Sequence, residues 1–384
     1  MKRATFIITL LALAACNSES DGTTAPLADA SLSRSGADDH GNNGFVYTLS
    51  NQAAGNAVLV FKRSHDGTLS AAGEVATGGN GSGAGLGSQN ALALSADGEL
   101  LFAVNAGSNT VSSFRVSGQG LTLVDTHASG GTHPISLTAS HGLLYVLNDG
   151  GDGNIAGLRY DSRGRLWTIA GSTRALSSSG SAPAQIEFTP TGDRLIVTEK
   201  GTNMIGAYNV GASGLASAGT FTVSSGATPF GFTFARNTLV VTEAFGGAPG
   251  ASAASSYSTA GTGAVSLISG SVPTTQTAAC WFVATNNGKY AFATNTGSGT
   301  VTAYGVTNRG ALTRLTGNGV SADVGAGSAP ADAALSRNSQ FLYTRNGGNR
   351  TISAIRVNAD GSLDVLSGGG ISGLPAGAVG LAAK

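Results

Sequence analysis

One short phrase returns seven times along this chain, and no other feature of the sequence restricts its fold as strongly. The phrase is an apolar five-residue strand ending in Asn or Glu, then a Gly-containing loop, then an alternating strand. Its copies are Tyr47 to Asn51, Leu101 to Asn105, Leu144 to Asn148, Leu195 to Glu199, Leu239 to Glu243, Ala291 to Asn295 and Leu342 to Asn346. Their last residues stand 54, 43, 51, 44, 52 and 51 positions apart, the spacing of propeller blades with four strands each. A solenoid also repeats, but segments such as Thr110 to Val116 alternate with a period of two and no unit carries a 3.6-residue pattern.

Turn chemistry gives an independent strand count. An outer hairpin signal follows each alternating strand, for example Asp66-Gly67, Arg163-Gly164, Arg309-Gly310 and Asp360-Gly361. An inner hairpin signal precedes the apolar strands, as at Asp97-Gly98, Gly192-Asp193 and Asn287-Gly288, but the first unit lacks one. The C-terminal stretch Pro375 to Ala382 reads as an inner strand without a blade of its own. The two ends therefore complete each other. The sequence predicts an all-β, seven-bladed β-propeller over residues 45–384, with the C-terminal strand closing the first blade so that no sheet edge stays open. Inner strands such as Ala331 to Leu335 are rich in small residues, as the crowding near the axis requires.

The N-terminus addresses the compartment. Lys2 and Arg3 precede an apolar run from Ala4 to Ala15, too short for a spanning helix and flanked as a signal peptide is, which assigns residues 1–15 to a leader. Leu13-Ala14-Ala15-Cys16 resembles the lipobox of bacterial lipoproteins, which implies lipid on Cys16. Asn17 in place of Asp implies, by the same resemblance, sorting to the outer membrane. Residues 16–44 then form the lipidated Cys and a polar, Ser- and Asp-rich tether with a root-mean-square reach of roughly 30 Å. With 21 Lys+Arg against 21 Asp+Glu, the chain has no basic field for nucleic acid. Membrane contact is expected only through the lipid, and the body is expected to be a monomer. Cys280, beside Trp281 in an apolar strand, reads as a packing residue and not a nucleophile. No His/Cys cluster has zinc spacing, and Asp149 to Asn154 lacks the bidentate Glu of a calcium loop, so neither metal nor cofactor is expected. The Gly-rich run Gly78 to Gly87 opens no helix and reads as a loose loop between blades.

The last full unit carries a recognisable pattern: Ala329-Pro330, an inner strand, Arg337-Asn338-Ser339, Gln340 to Asn346, Thr351 to Val357 and Asp360-Gly361-Ser362-Leu363. It resembles the blade of the lactonase-type propellers, also called the cycloisomerase 2 family, which includes 6-phosphogluconolactonases and 3-carboxymuconate cyclases. Thr228-Pro229-Phe230-Gly231-Phe232 and Gln276 to Trp281 are similar to a secreted bacterial subgroup. The resemblance implies hydrolysis or cycloisomerisation of a small lactone at the cell envelope. The alternative from another functional class is a propeller without catalysis that serves as an envelope binding or adhesion module.

Propeller geometry places the ends of the apolar strands and the loops entering the inner strands on one face, around the mouth of the axial channel. Lactone opening needs a base for water, a stabiliser for the oxyanion and an acid for the leaving alkoxide. Glu243 is the expected base and Glu199 a second carboxylate at the same position of the neighbouring blade. Arg345 is the expected partner of an oxyanion or substrate carboxylate, and His133, the only His in an entry loop, an acid or base. Asn148, Asn295 and Asn346 are expected to line the bound substrate with Gln276 and Phe230, and Gln89 and Trp281 belong to the same face. Asn at five of the seven strand ends also fits a plain structural role, in which the side chain closes the following turn.

Overall fold

The structure, a computed structural model, describes residues 43–384. The predicted leader, Cys16 and most of the tether lie outside the described residues. The described chain forms seven antiparallel sheets and a single 3-10 turn at Phe245–Gly247. Each sheet is one blade. Blade 1 is built from both ends of the chain: Leu69–Ala76, Ala57–Arg63 and Gly44–Leu49 are followed on the axial side by Val379–Ala383. Blades 2 to 7 run in chain order, with inner strands Leu92–Leu94, Pro134–Ser140, Pro183–Phe188, Pro229–Ala235, Ala279–Ala284 and Pro330–Leu335.

The ring closes as the repeat predicted. Val46 stands opposite Ala383 and Leu49 opposite Val379. Phe45 and Lys384 exchange two backbone hydrogen bonds, and Thr48 Oγ1 donates to Gly380 O at 2.6 Å. The contact leaves no room for a side chain at the start, since a Cβ on Gly44 would lie 1.9 Å from Lys384 O.

Burial follows radius. Second strands such as Leu100–Asn105, Arg194–Glu199 and Phe341–Asn346 are buried at every position because a neighbouring blade covers each face. Outer strands such as Leu69–Ala76 have no fully buried residue. Successive blades are fastened by one recurring device. The glycine of the outer hairpin takes a left-handed φ that excludes most residues, and its carbonyl accepts a hydroxyl from the preceding blade. Tyr343 donates to Gly67 at 2.8 Å, Tyr145 to Gly214 at 2.7 Å and Ser256 to Gly310 at 2.7 Å.

Candidate functional site in the axial channel

The register of each inner strand decides which side chains line the axis. Counting back from the Asn or Glu that ends each second strand, the residue one step back pairs with Ser136, Gln185, Trp281 and Asp332 in blades 3, 4, 6 and 7. In blade 5 a register shift puts Gly231 at this level. Three steps back the partners are Ala93, Thr138, Glu187, Thr233, Val283 and Ala334. Because side chains alternate along a strand, these two levels share one face. Their hydroxyl and amide groups bridge to the next inner strand: Ser136 Oγ and Thr138 Oγ1 accept from Ile186 and Phe188 N–H, both at 3.1 Å, and Gln185 exchanges two bonds with the Phe232 backbone. They form an upper and a lower ring.

The upper ring is filled from an unexpected source. The Gly-rich run read as a loose loop leads at Gly87 into Ser88-Gln89-Asn90, and this segment crosses the channel. Ser88 Oγ donates to Ile135 O at 2.7 Å, Gln89 N to Ala184 O at 3.0 Å, and Trp281 Nε1 to Ser88 O at 3.0 Å. The Gln89 amide pairs with both backbone groups of Phe282 at 2.9 and 3.1 Å. A Cβ on Gly231 would meet Gln89 Oε1 at 2.3 Å, so only glycine fits there. The segment thus joins blades 3, 4 and 6 across the axis and presses on blade 5. Lys200 latches it, donating from Nζ to Gly87 O at 2.5 Å and Pro183 O at 3.1 Å above the Phe230 ring, 4.6 Å from its centre. Burial pushes the Lys200 ammonium down to about 8, and Asp149 partly offsets this.

The two glutamates expected to converge at the mouth do not. Glu243 is fully buried within blade 5, accepting from Gly226 N–H at 2.8 Å, Ser271 Oγ at 2.7 Å and Ser255 Oγ. Glu199 does the same in blade 4 with Ser177 N–H at 2.9 Å, Ser177 Oγ and Thr202 Oγ1 at 2.6 Å. Both clamp the incoming inter-blade linker, which is the structural role of the strand-end position. Asn295 and Asn346 donate to third-strand hydroxyls, as at Thr302 and Ser353, at 2.8–2.9 Å, and Asn148 to Asn154 at 3.0 Å. The reason is geometric: a second strand has another strand between itself and the axis, so its side chains point at neighbouring blades.

The other predicted residues separate. Gln276 Nε2 donates to Asn318 O at 2.9 Å, holding a loop away from the axis. Phe230 is buried against Trp281 under Lys200, in a cluster with Cys280 and Ala331. His133 is half-buried with a left-handed φ of 56°, and its backbone N–H donates to Asn109 Oδ1 at 2.8 Å, so the observed bond organises the entry loop.

Arg345 alone of the four catalytic candidates faces a channel residue that can do chemistry. It is directly opposite Asp332 across the first two strands of blade 7. Asp332 is 1% exposed and Arg345 7%. Asp332 Oδ1 accepts from Ala333 N–H at 2.8 Å, while Asp332 Oδ2 and Arg345 Nε have no hydrogen-bond partner among the described residues. Burial pushes the Asp332 carboxyl up to about 8 despite the pull of Arg345, and burial lowers the Arg345 guanidinium. Elsewhere in blades 2 to 7 the position of Arg345 holds Val104, Leu147, Thr198, Thr242 or Thr294, so an arginine there is peculiar to blade 7. Sequence reasoning missed Asp332 and Glu187 because the register shifts after Pro183 and Pro330 hide which inner-strand residues reach the axis. Glu187 in the lower ring accepts from Gln185 Nε2 at 2.8 Å and is likewise pushed up to about 8 by burial.

A concavity of about 280 Å³ lies between blades 3 and 4 at the periphery, beside His141, Arg159 and Asp193. Its polar groups are committed locally: Arg159 donates to Ser213 O at 2.6 Å and Asp193 accepts from Thr189 at 3.0 Å. The axial pair, with unsatisfied buried atoms, is the better candidate.

The model of the lactonase family, described as a seven-bladed β-propeller, matches residues 40–161 and 81–368. The chain belongs to that family. Among solved structures this lactonase-family propeller is similar to a protein from Lactobacillus plantarum, with a TM-score of 0.70 and 19% identity over 89% of this chain and 99% of that one. A putative 6-phosphogluconolactonase from Bacteroides fragilis gives 0.65 and 18% over 91% and 100%. A periplasmic gluconolactonase from Pseudomonas aeruginosa gives 0.63 and 15% over 86% and 96%. At these identities the likeness concerns the fold. No curated protein matches in sequence.

The raised carboxyls make the propeller's stability depend on pH. Between their ordinary values, 4.5 for Glu187 and 3.8 for Asp332, and about 8, the folded chain holds protons that the unfolded chain releases. Their contribution is therefore full below pH 4 and lost as pH rises through 8. Each unit of difference between the folded and unfolded pKa is worth about 1.4 kcal/mol as a ceiling, and less at Glu187, which meets water. Thermal melts at constant ionic strength are expected to show a midpoint several degrees lower at pH 8 than at pH 5. Glu187→Gln flattens the profile; an equally steep profile in that variant contradicts the assignment.

Proposed function

We propose that this lactonase-family propeller opens a small lactone in its axial channel, with Asp332 as the base and Arg345 as the oxyanion partner. The observation that carries this reading is the pair itself: a buried carboxyl and guanidinium opposite each other, each with an atom that no neighbour satisfies. In hydrolysis the Asp332 carboxylate takes a proton from water as the oxygen adds to the lactone carbonyl carbon. Arg345 holds the charge that develops on the carbonyl oxygen. Collapse breaks the ring C–O bond, and Asp332 returns the proton to the leaving alkoxide. The proton-accepting form grows as pH approaches 8, so the rate rises over that range.

Lipid on Cys16 would hold the propeller at the cell envelope, on the outer membrane. Support for this is the run Leu13 to Cys16 followed by Asn17.

One observation favours the second reading, a binding module without catalysis: the segment Gly87 to Asn90 fills the upper ring above Asp332, which is buried. A pH-stat assay on a panel of γ- and δ-lactones separates the two. The proposal expects saturable opening of at least one member, above spontaneous hydrolysis. If every lactone decays at its spontaneous rate, the binding reading stands.

A further inference from the structure

The lower ring differs from the upper one in a way that points to an entrance. Ser136, Gln185, Trp281 and Asp332 are at most 2% exposed. Two residues further along the same strands and the same face, Glu187 and Val283 are partly exposed, as are Thr233 in blade 5 and Ala93 in blade 2. Thr138 and Ala334, at 6% and 8%, are the most closed members of that ring. Exposure on this face of the inner strands therefore grows toward the inner hairpins and falls away at the level where Gln89 spans from Ala184 to Phe282.

At the opposite end the upper ring is covered, with Ser88 and Gln89 at most 5% exposed. Gly87 to Asn90 is fastened by side chains or backbone of Ile135, Leu137, Ala184, Lys200, Trp281 and Phe282. A lid that opened on each turnover would have to break these bonds together, several of them buried. The ring below needs no such movement.

We propose that the channel is loaded from the inner-hairpin face: the lower ring, with Glu187 as its one ionisable member, is the entrance to Asp332 and Arg345, and Gly87 to Asn90 is a fixed stopper. The polar arc of Thr138, Glu187 and Thr233 comes from three successive blades, and Val283, Ala334 and Ala93 form an apolar arc facing it. This amphipathic throat suits a hydroxylated ring compound, whose hydroxyls meet the first arc and whose C–H faces meet the second. The identity of the cargo rests on the lactone-opening reading; the side of entry does not.

Thiol labelling tests the side of entry without reference to activity. Thr233→Cys and, separately, Val283→Cys are made in the full chain and treated with a small cationic methanethiosulfonate reagent, with the parent chain as background. Modification of either cysteine within about tenfold of a surface control, Ser178→Cys, is expected. Adding Lys200→Met to loosen the stopper leaves that rate unchanged. Protection of both cysteines in folded protein overturns the proposal, as does a tenfold or greater acceleration by Lys200→Met. Thr233→Trp supplies the functional arm and is expected to lower kcat/KM for an opened lactone at least tenfold. Labelling in a protein that opens no lactone leaves the entrance standing and removes the catalytic reading; full activity in Thr233→Trp overturns the entrance.

Discussion

A chain that stops at Ala378 is expected to lose cooperative folding. The six residues removed include Val379, Leu381 and Ala382, at most 7% exposed, and the whole axial strand of blade 1. Without them Gly44–Leu49 becomes an open edge at the narrowest part of the ring, with Val46, Tyr47 and Leu49 uncovered. The damage exceeds one strand, because blades 7 and 2 both pack on blade 1 and the C-terminal strand supplies its whole axial edge. Loss of this ladder and of some three buried apolar side chains corresponds to roughly 5 kcal/mol or more, most of the net stability of an ordinary domain. Circular dichroism melts and size-exclusion chromatography are expected to show an aggregating or non-cooperative product. A truncated chain that melts within a few degrees of the parent contradicts the closure.

Glu243→Ala is expected to be the most destabilising single substitution among the residues that first suggested catalysis. The alanine leaves the buried Gly226 N–H and Ser255 hydroxyl, and the half-buried Ser271 hydroxyl, without their acceptor. At about 1–3 kcal/mol for each of the two buried donors, the total is at least about 2 kcal/mol. Glu243→Gln keeps an acceptor and resembles the Asn of other blades, so its cost is expected to be near 1 kcal/mol. Urea denaturation checks both. Equal, small losses in the two variants would show that the carboxylate does not hold the linker.

The same two residues show what was legible beforehand. The recurrence of Asn, with Glu as its substitute in blades 4 and 5, announced a structural position, and the hydrogen bonds from Ser177 and Gly226 are the reason. Blade number, hairpins and closure were likewise written in turn residues and period-two segments, because backbone geometry leaves those marks locally. The axial site was not. Which inner-strand residue faces the channel depends on bulges between Pro183 and Gln185 and between Pro330 and Asp332, and one residue of slip reverses the face. Asp332 and Glu187 were therefore invisible as a site, although Arg345 was picked out. The stopper left no local mark for a related reason. Glycine content reports local conformational freedom, whereas the bonds that fix Ser88 and Gln89 come from residues 47 to 193 positions away.

In the proposed mechanism the reacting carboxylate is on the inner strand of blade 7 and not at the strand ends of blades 4 and 5. Initial rates of opening for the best lactone of the panel, measured side by side for Asp332→Asn and Glu243→Gln at pH 7.5 with folding checked by circular dichroism, test it directly. The expected result is a loss of at least about a hundredfold in kcat for Asp332→Asn, the scale of a positioned general base, with Glu243→Gln within about twofold of the parent. Full activity in Asp332→Asn, or a collapse confined to a folded Glu243→Gln, would contradict it.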